Sequence, residues 1–169
     1  MTGHAILTPM LMVILMITGD FLAMSLTTDN VRPSSIPNAW RIGKLTIAGV
    51  VMGSCLLLFC TAVLAFGKFR MGLGIDALRT MALVALVFGS EATLYAIRER
   101  RRLWSSHPSL WVVVSSVCDV LIISTLVTRG IAMTPVPLFV VGGTLGAAVV
   151  FAFILDFVKV PVFNRLSIA

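Results

Sequence analysis

Charge is what this sequence has least of. Only 12% of its 169 residues are Asp, Glu, Lys or Arg, about half the share usual in a soluble domain. Acid is scarcer still, with seven Asp and Glu against thirteen Lys and Arg. No GxxxxGK[ST], no GxGxxG after a strand and no HExxH is present. No connector is long enough to fold into a nucleotide-binding domain, so this chain alone is not expected to hydrolyse ATP. The three cysteines, Cys55, Cys60 and Cys118, show neither CxxC nor Cys/His spacing. That indicates neither a zinc site nor a disulfide framework, and they read as small buried hydrophobes. His4 and His107 are isolated near span ends, so no metal site is expected. No cleavable signal is evident. The first apolar run starts almost at Met1, lacks a basic leader and is too long for a signal core.

What fills the chain instead is apolar. Hydrophobic residues make up 59%, and mean hydropathy is +1.06. A bilayer core of about 30 Å needs roughly 20 apolar residues per helix. Five segments meet that length: Ala5–Leu26, Leu45–Phe66, Ala77–Ile97, Leu110–Val127 and Val136–Val158. The expected fold is an all-α bundle of five transmembrane helices. Residues 1–169 form a single membrane domain in this reading, with no soluble domain.

The sparse cations are placed unevenly, and that sets an orientation. Nine of them (Arg32, Arg41, Lys44, Arg98, Arg100, Arg101, Arg102, Lys159 and Arg165) fall on one side, against Lys68, Arg70, Arg79 and Arg129 on the other. The first set is expected in the cytoplasm, with the N-terminus outside and the C-terminus inside. An exported N-terminus of only Met-Thr-Gly-His is awkward, and would be natural if another helix preceded it. The net charge of +6 is therefore read as membrane topology and not as nucleic-acid binding. Trp40, Trp104 and Trp111 stand beside span ends, as interfacial anchors do. Gly142 and Gly146 form a GxxxG pattern of the kind that lets helices approach closely. No internal repeat is apparent.

Four acidic residues fall within or at the edge of spans: Asp20, Glu91, Asp119 and Asp156. A charge at a helix centre costs about 2.5–3.5 kcal/mol on insertion scales, so such residues are functional candidates by default. Asp156 has Lys159 three residues on and reads as an interfacial pair. Asp119 shares a face with Ser115 and Ser116, where polar glue and function are both open. Glu91, beside Ser90 and Thr93, has no cation within one turn, so it must pair across helices or carry a proton. Asp20 lies about 7 Å past its span centre at 1.5 Å per residue, preceded by Thr18 and Gly19. A glycine and a hydroxyl beside a carboxylate invite a local helix break, whose freed carbonyls help bind a cation. Unwound backbone in a membrane is tolerated only against protein or a cavity. A helix–helix hydrogen bond is the competing reading.

The segment from LTPMLMVILMITGDFLAMS through TTDNVRPS and PNAW resembles the sixth membrane helix, the following cytoplasmic loop and the start of the seventh helix of P-type ATPases, the plasma-membrane proton-pump branch above all. SEATLYAIRERRRLWSSHPS is similar to the eighth helix of that branch and its basic exit loop, and the last two spans would be the ninth and tenth. The resemblance is specific in residues 8–53 and 88–109. It implies that Asp20 is the sixth-helix carboxylate that accepts and donates the proton. Glu91 falls where related pumps place a polar or acidic eighth-helix residue. Gly-Asp-Phe stands here where the family commonly has Asp-Gly, which moves the expected break one residue earlier. The resemblance further implies a plasma-membrane location, ATP and Mg2+ for the intact family member, and a proton or other cation as cargo. It also implies a partner: helices one to five and the soluble domains of an N-terminal ATPase half.

Three functions are open at this level. One is the C-terminal membrane part of a P-type ATPase, inactive alone. The second is a small self-standing membrane scaffold or accessory protein. The third is a small proton-coupled carrier using Asp20 and Glu91, though carriers are often built from repeats.

Overall fold

The computed structural model describes residues 9–29, 42–98 and 107–166. His4, Trp40, Trp104, most of the loop cations and the part of TTDNVRPS beyond Asp29 lie outside those residues. The helices are α1 (Pro9–Ser25, prolonged by a 3-10 turn at Leu26–Thr28), α2 (Ile42–Phe69), α3 (Ile75–Arg98), α4 (Leu110–Arg129) and α5 (Leu138–Leu166). No strand occurs among the described residues. All five helices are long and apolar enough to cross a bilayer, and the fold is an all-α membrane bundle. α2 runs past both ends of the apolar span, and α5 continues through Pro161 beyond Val158.

Local chemistry fixes the ends. Ser109 stands in extended backbone before α4, and its hydroxyl accepts the Val112 N–H at 3.3 Å, an N-cap. Gly130 closes α4 in the left-handed conformation (φ 68°), and the Ile131 N–H reaches the Leu126 carbonyl at 3.0 Å. That is the C-terminal arrangement glycine favours. At the start of α3 the Thr80 hydroxyl donates to the Thr134 carbonyl at 3.0 Å, tying α3 to the α4–α5 turn.

α3 is the centre of the bundle. Two thirds of its apolar window is buried (67%), against 11% for α1. Leu83, Val87 and Phe88 of α3 pack in one core with Met52 of α2, Ile123 of α4 and Leu155 of α5. Among the described residues α1 leans mainly on α3 and α4. It buries Leu11, Thr18 and Leu22, a stripe at helical spacing. Its other side stays exposed.

α2 and α3 approach closely at two glycines: a Cβ on Gly67 would lie 2.5 Å from Met81 Sδ, and one on Gly89 would lie 2.6 Å from Leu56 Cδ1 and 3.0 Å from Phe59 Cδ1. Phe59 in turn stacks on Phe151 of α5, with centroids 4.6 Å apart. The GxxxG pair does something else: a Cβ on Gly142 or Gly146 would meet nothing within 4 Å. The motif lies on a face of α5 that no described helix covers. The cysteines divide as well, with Cys60 buried, Cys55 half-buried and Cys118 exposed, so Cys118 is not the core residue its apolar run implied. Trp111 is exposed at the first turn of α4.

The contrast between glycines is testable by unfolding in mixed detergent micelles. Gly89→Ala is expected to destabilise by about 1 kcal/mol or more, the lower range for overpacking, because the Leu56 tip swings aside but the stacked Phe59 ring does not. Gly142→Ala is expected to cost nothing.

Candidate functional site

α1 is continuous through Thr18, Gly19 and Asp20, so the helix break expected at Asp20 does not occur. The Thr18 hydroxyl donates back to the carbonyls of Ile14 (3.1 Å) and Leu15 (3.2 Å), which keeps its polar group satisfied inside the helix. Asp20 lies away from the Leu11–Thr18–Leu22 stripe, on the exposed side with Ile17 and Met24. It is not buried in the bundle, and among the described residues it has no hydrogen-bond or ion-pair partner.

Glu91 and Asp119 are the opposite case. Both are buried, at 7% and 6% exposure. They face one another across α3 and α4, within side-chain hydrogen-bonding reach. Glu91 Oε1 is buried without a hydrogen-bond partner. Its sequence neighbours do not supply one: Ser90 and Thr93 donate to the carbonyls of Val87 and Gly89, both at 2.8 Å. One turn on, the Tyr95 hydroxyl donates to Ser116 Oγ at 3.1 Å. Glu91 and Tyr95 on α3 therefore meet Ser116 and Asp119 on α4 as a short polar seam. Glu91 and Tyr95 also line a cavity of about 430 Å³ between α3 and α5, whose other walls include Phe88, Leu145 and Ala148.

The remaining buried charges are neutralised. Lys159 Nζ lies 2.8 Å from Asp156 Oδ1 and donates to the Ala96 carbonyl of α3, also at 2.8 Å. The pair expected from sequence exists, but it is buried between helices and not interfacial. Asp29, just past α1, accepts from Arg98 Nη1 at 3.0 Å on both carboxylate oxygens and from the Ser109 N–H at 2.9 Å. One carboxylate thus joins the end of α1, the end of α3 and the start of α4. Sequence reasoning quoted Asp29 only as part of TTDNVRPS. The available signal was that Asp29 and Arg98 bound their spans at the same end of the bundle.

Counting inward from that shared end at 1.5 Å per residue, Glu91 lies about 10 Å deep, Asp20 about 13 Å and Asp119 about 15 Å. Among the described residues the three carboxyls without a cation lie within about 5 Å of one another in depth.

No family model matches the chain. Over 131 residues, 77% of this chain, it is 24% identical to the protein named "putative cation-transporting ATPase" in Methanocaldococcus jannaschii. The match takes in 16% of that relative, so the chain spans a small part of its length.

Breaking a buried ion pair by removing one partner costs about 3–5 kcal/mol. Asp29→Ala is expected to lower unfolding stability by that amount, since the Ser109 amide loses its acceptor too. Asp29→Asn, which keeps an acceptor oxygen for that amide, is expected to lose less in the same assay.

Proposed function

We propose that this chain is the membrane-embedded C-terminal part of a P-type cation-transporting ATPase, with the proton as its cargo. The observation that carries the reading is Asp20: a carboxylate within an apolar helix, on the one side of α1 that the other four helices leave uncovered. A carboxylate in that position serves no packing purpose within this bundle. It serves one if further helices close over that side and complete an ion site with it. The partial similarity to a cation-transporting ATPase, which covers most of this chain and little of the relative, supports the same reading.

In this proposal α1 to α5 are the sixth to tenth membrane helices. Asp20 is the carboxylate on the ion's path, Glu91 a second polar station, and Asp119 its partner. The Asp29 end of the bundle faces the cytoplasm, and the membrane is the plasma membrane. The helices carry no phosphate-binding loop. The ATP and Mg2+ chemistry belongs to segments outside these 169 residues, and this chain contributes half of the pathway.

Two measurements test it. Proteoliposomes holding this chain alone are expected to show no proton flux, and co-reconstitution with the N-terminal ATPase half is expected to give ATP-driven uptake that Asp20→Asn abolishes. Flux by the chain alone that disappears in Asp20→Asn would instead establish the carrier reading. Separately, Asp20→Leu is expected to leave unfolding stability of the isolated chain undiminished, whereas a helix–helix hydrogen bond at Asp20 would make that variant less stable.

A further inference from the structure

The charges inside the bundle fall into two groups. Asp156 is balanced by Lys159, and Asp29 by Arg98. Glu91 and Asp119 have no cation among the described residues, although both are more than nine-tenths buried. Two adjacent carboxylates in a low-dielectric interior repel one another and each lacks water, so both do not remain ionised together.

The surroundings offer no other neutraliser. On α3 itself the nearest cation, Arg98, is engaged by Asp29. On α5, Lys159 closes on Asp156 and the Ala96 carbonyl, about 7 Å along α3 from Glu91. α2 brings Cys55 and Cys60 to the membrane interior, and α1 brings Asp20, which is exposed. Glu91 Oε1 remains without a hydrogen-bond partner, and Glu91 lines the cavity between α3 and α5. A buried acceptor oxygen with no partner, on a side chain that lines this groove, is a place for a donor to arrive. The Tyr95 hydroxyl lines the same cavity and donates to Ser116, three residues before Asp119 on α4. The Tyr95 and Ser116 hydroxyls thus lie one turn from Glu91 and Asp119 on the same two helices.

We infer that Glu91 and Asp119 form a proton-binding site separate from Asp20, in which one proton is held between the two carboxyl groups. The site rests on the transport reading only for its place on an ion's path. Its occupancy is a property of this bundle alone.

The test is infrared spectroscopy of the full chain in lipid nanodiscs at neutral pH, in an Asp20→Asn background so that Asp20 contributes no signal. The expected result is a carbonyl stretch of a protonated carboxylic acid with the amplitude of one group per chain. It should be lost in the Glu91→Gln/Asp119→Asn double variant and unchanged on adding Na+, K+ or Ca2+. Carbon-13 labelling of glutamate or aspartate carboxyls in the background chain shifts the band without any change at the site, so the assignment does not depend on the double variant folding. Absence of the band at neutral pH, its survival in a folded double variant, or its disappearance on adding a metal cation would each overturn the inference. Failure of the transport reading, by contrast, would appear only in the flux assay and leave this band in place.

Discussion

A hydrocarbon layer supplies no partner for a charge or for a backbone amide. Every polar group that enters it must be matched from within the protein or must do something else. This constraint orders the structure. It makes each span a helix, since the backbone then satisfies itself. It also divides the acidic residues by whether a cation reaches them. Asp29 and Asp156 are reached, and both pairs lie where α3 ends. Arg98 and the Ala96 carbonyl hold the partners, so the most buried helix gathers α1, α4 and α5 at a single level. α3 is central because it is the helix to which the others are fastened, by Gly89 on the α2 side and, near its C-terminal end, by the Arg98–Asp29 ion pair and the Lys159 hydrogen bond to the Ala96 carbonyl.

The five helices were legible because length and apolarity carry that information directly. What each helix faces was not. The GxxxG of α5 satisfies the sequence pattern for close packing, yet nothing described comes near it, while close contacts fall on Gly67 and Gly89, which belong to no motif. A spacing pattern states that a face is smooth and does not state which neighbour uses it. The helix break expected at Gly19–Asp20 fails for a related reason. A lone glycine is tolerated in a helix, and the Thr18 hydroxyl takes its acceptors from the preceding turn. The residues that would favour unwinding are content in the helix.

Asp119 shows where sequence reasoning ran out. On its own helix it has only serines for company, and polar glue and function looked alike. Its partner, Glu91, is on the preceding antiparallel helix, and the pairing becomes visible only when both are measured from the same end. Depth counted from Arg98 and Ser109 would have put the two carboxyls within about 5 Å of each other along the bundle. Hydropathy windows ignore that quantity because they treat each span separately. Asp29 escaped for the same reason: its partner lies two helices on, and no periodicity links them.

Asp20, Glu91 and Asp119 lie at similar depths but not in one environment, and the difference bears on what each can do. A carboxylate on an uncovered side has its chemistry decided by whatever comes to cover it. Helices bringing oxygen ligands would make it a cation site, and helices bringing a lysine or arginine would make it a switchable ion pair. A carboxyl pair already enclosed has its surroundings set by this bundle, where no cation among the described residues pairs with it and Glu91 Oε1 has no hydrogen-bond partner. Moving α1 would alter the first without touching the second. Moving α3 against α4 would alter both, because α1 rests on those two helices and because Glu91 and Asp119 stand on opposite sides of their contact. The Asp29–Arg98–Ser109 junction spans the ends of α1, α3 and α4 together. It therefore fixes the ends of those three helices relative to one another, below the level of both carboxyl positions.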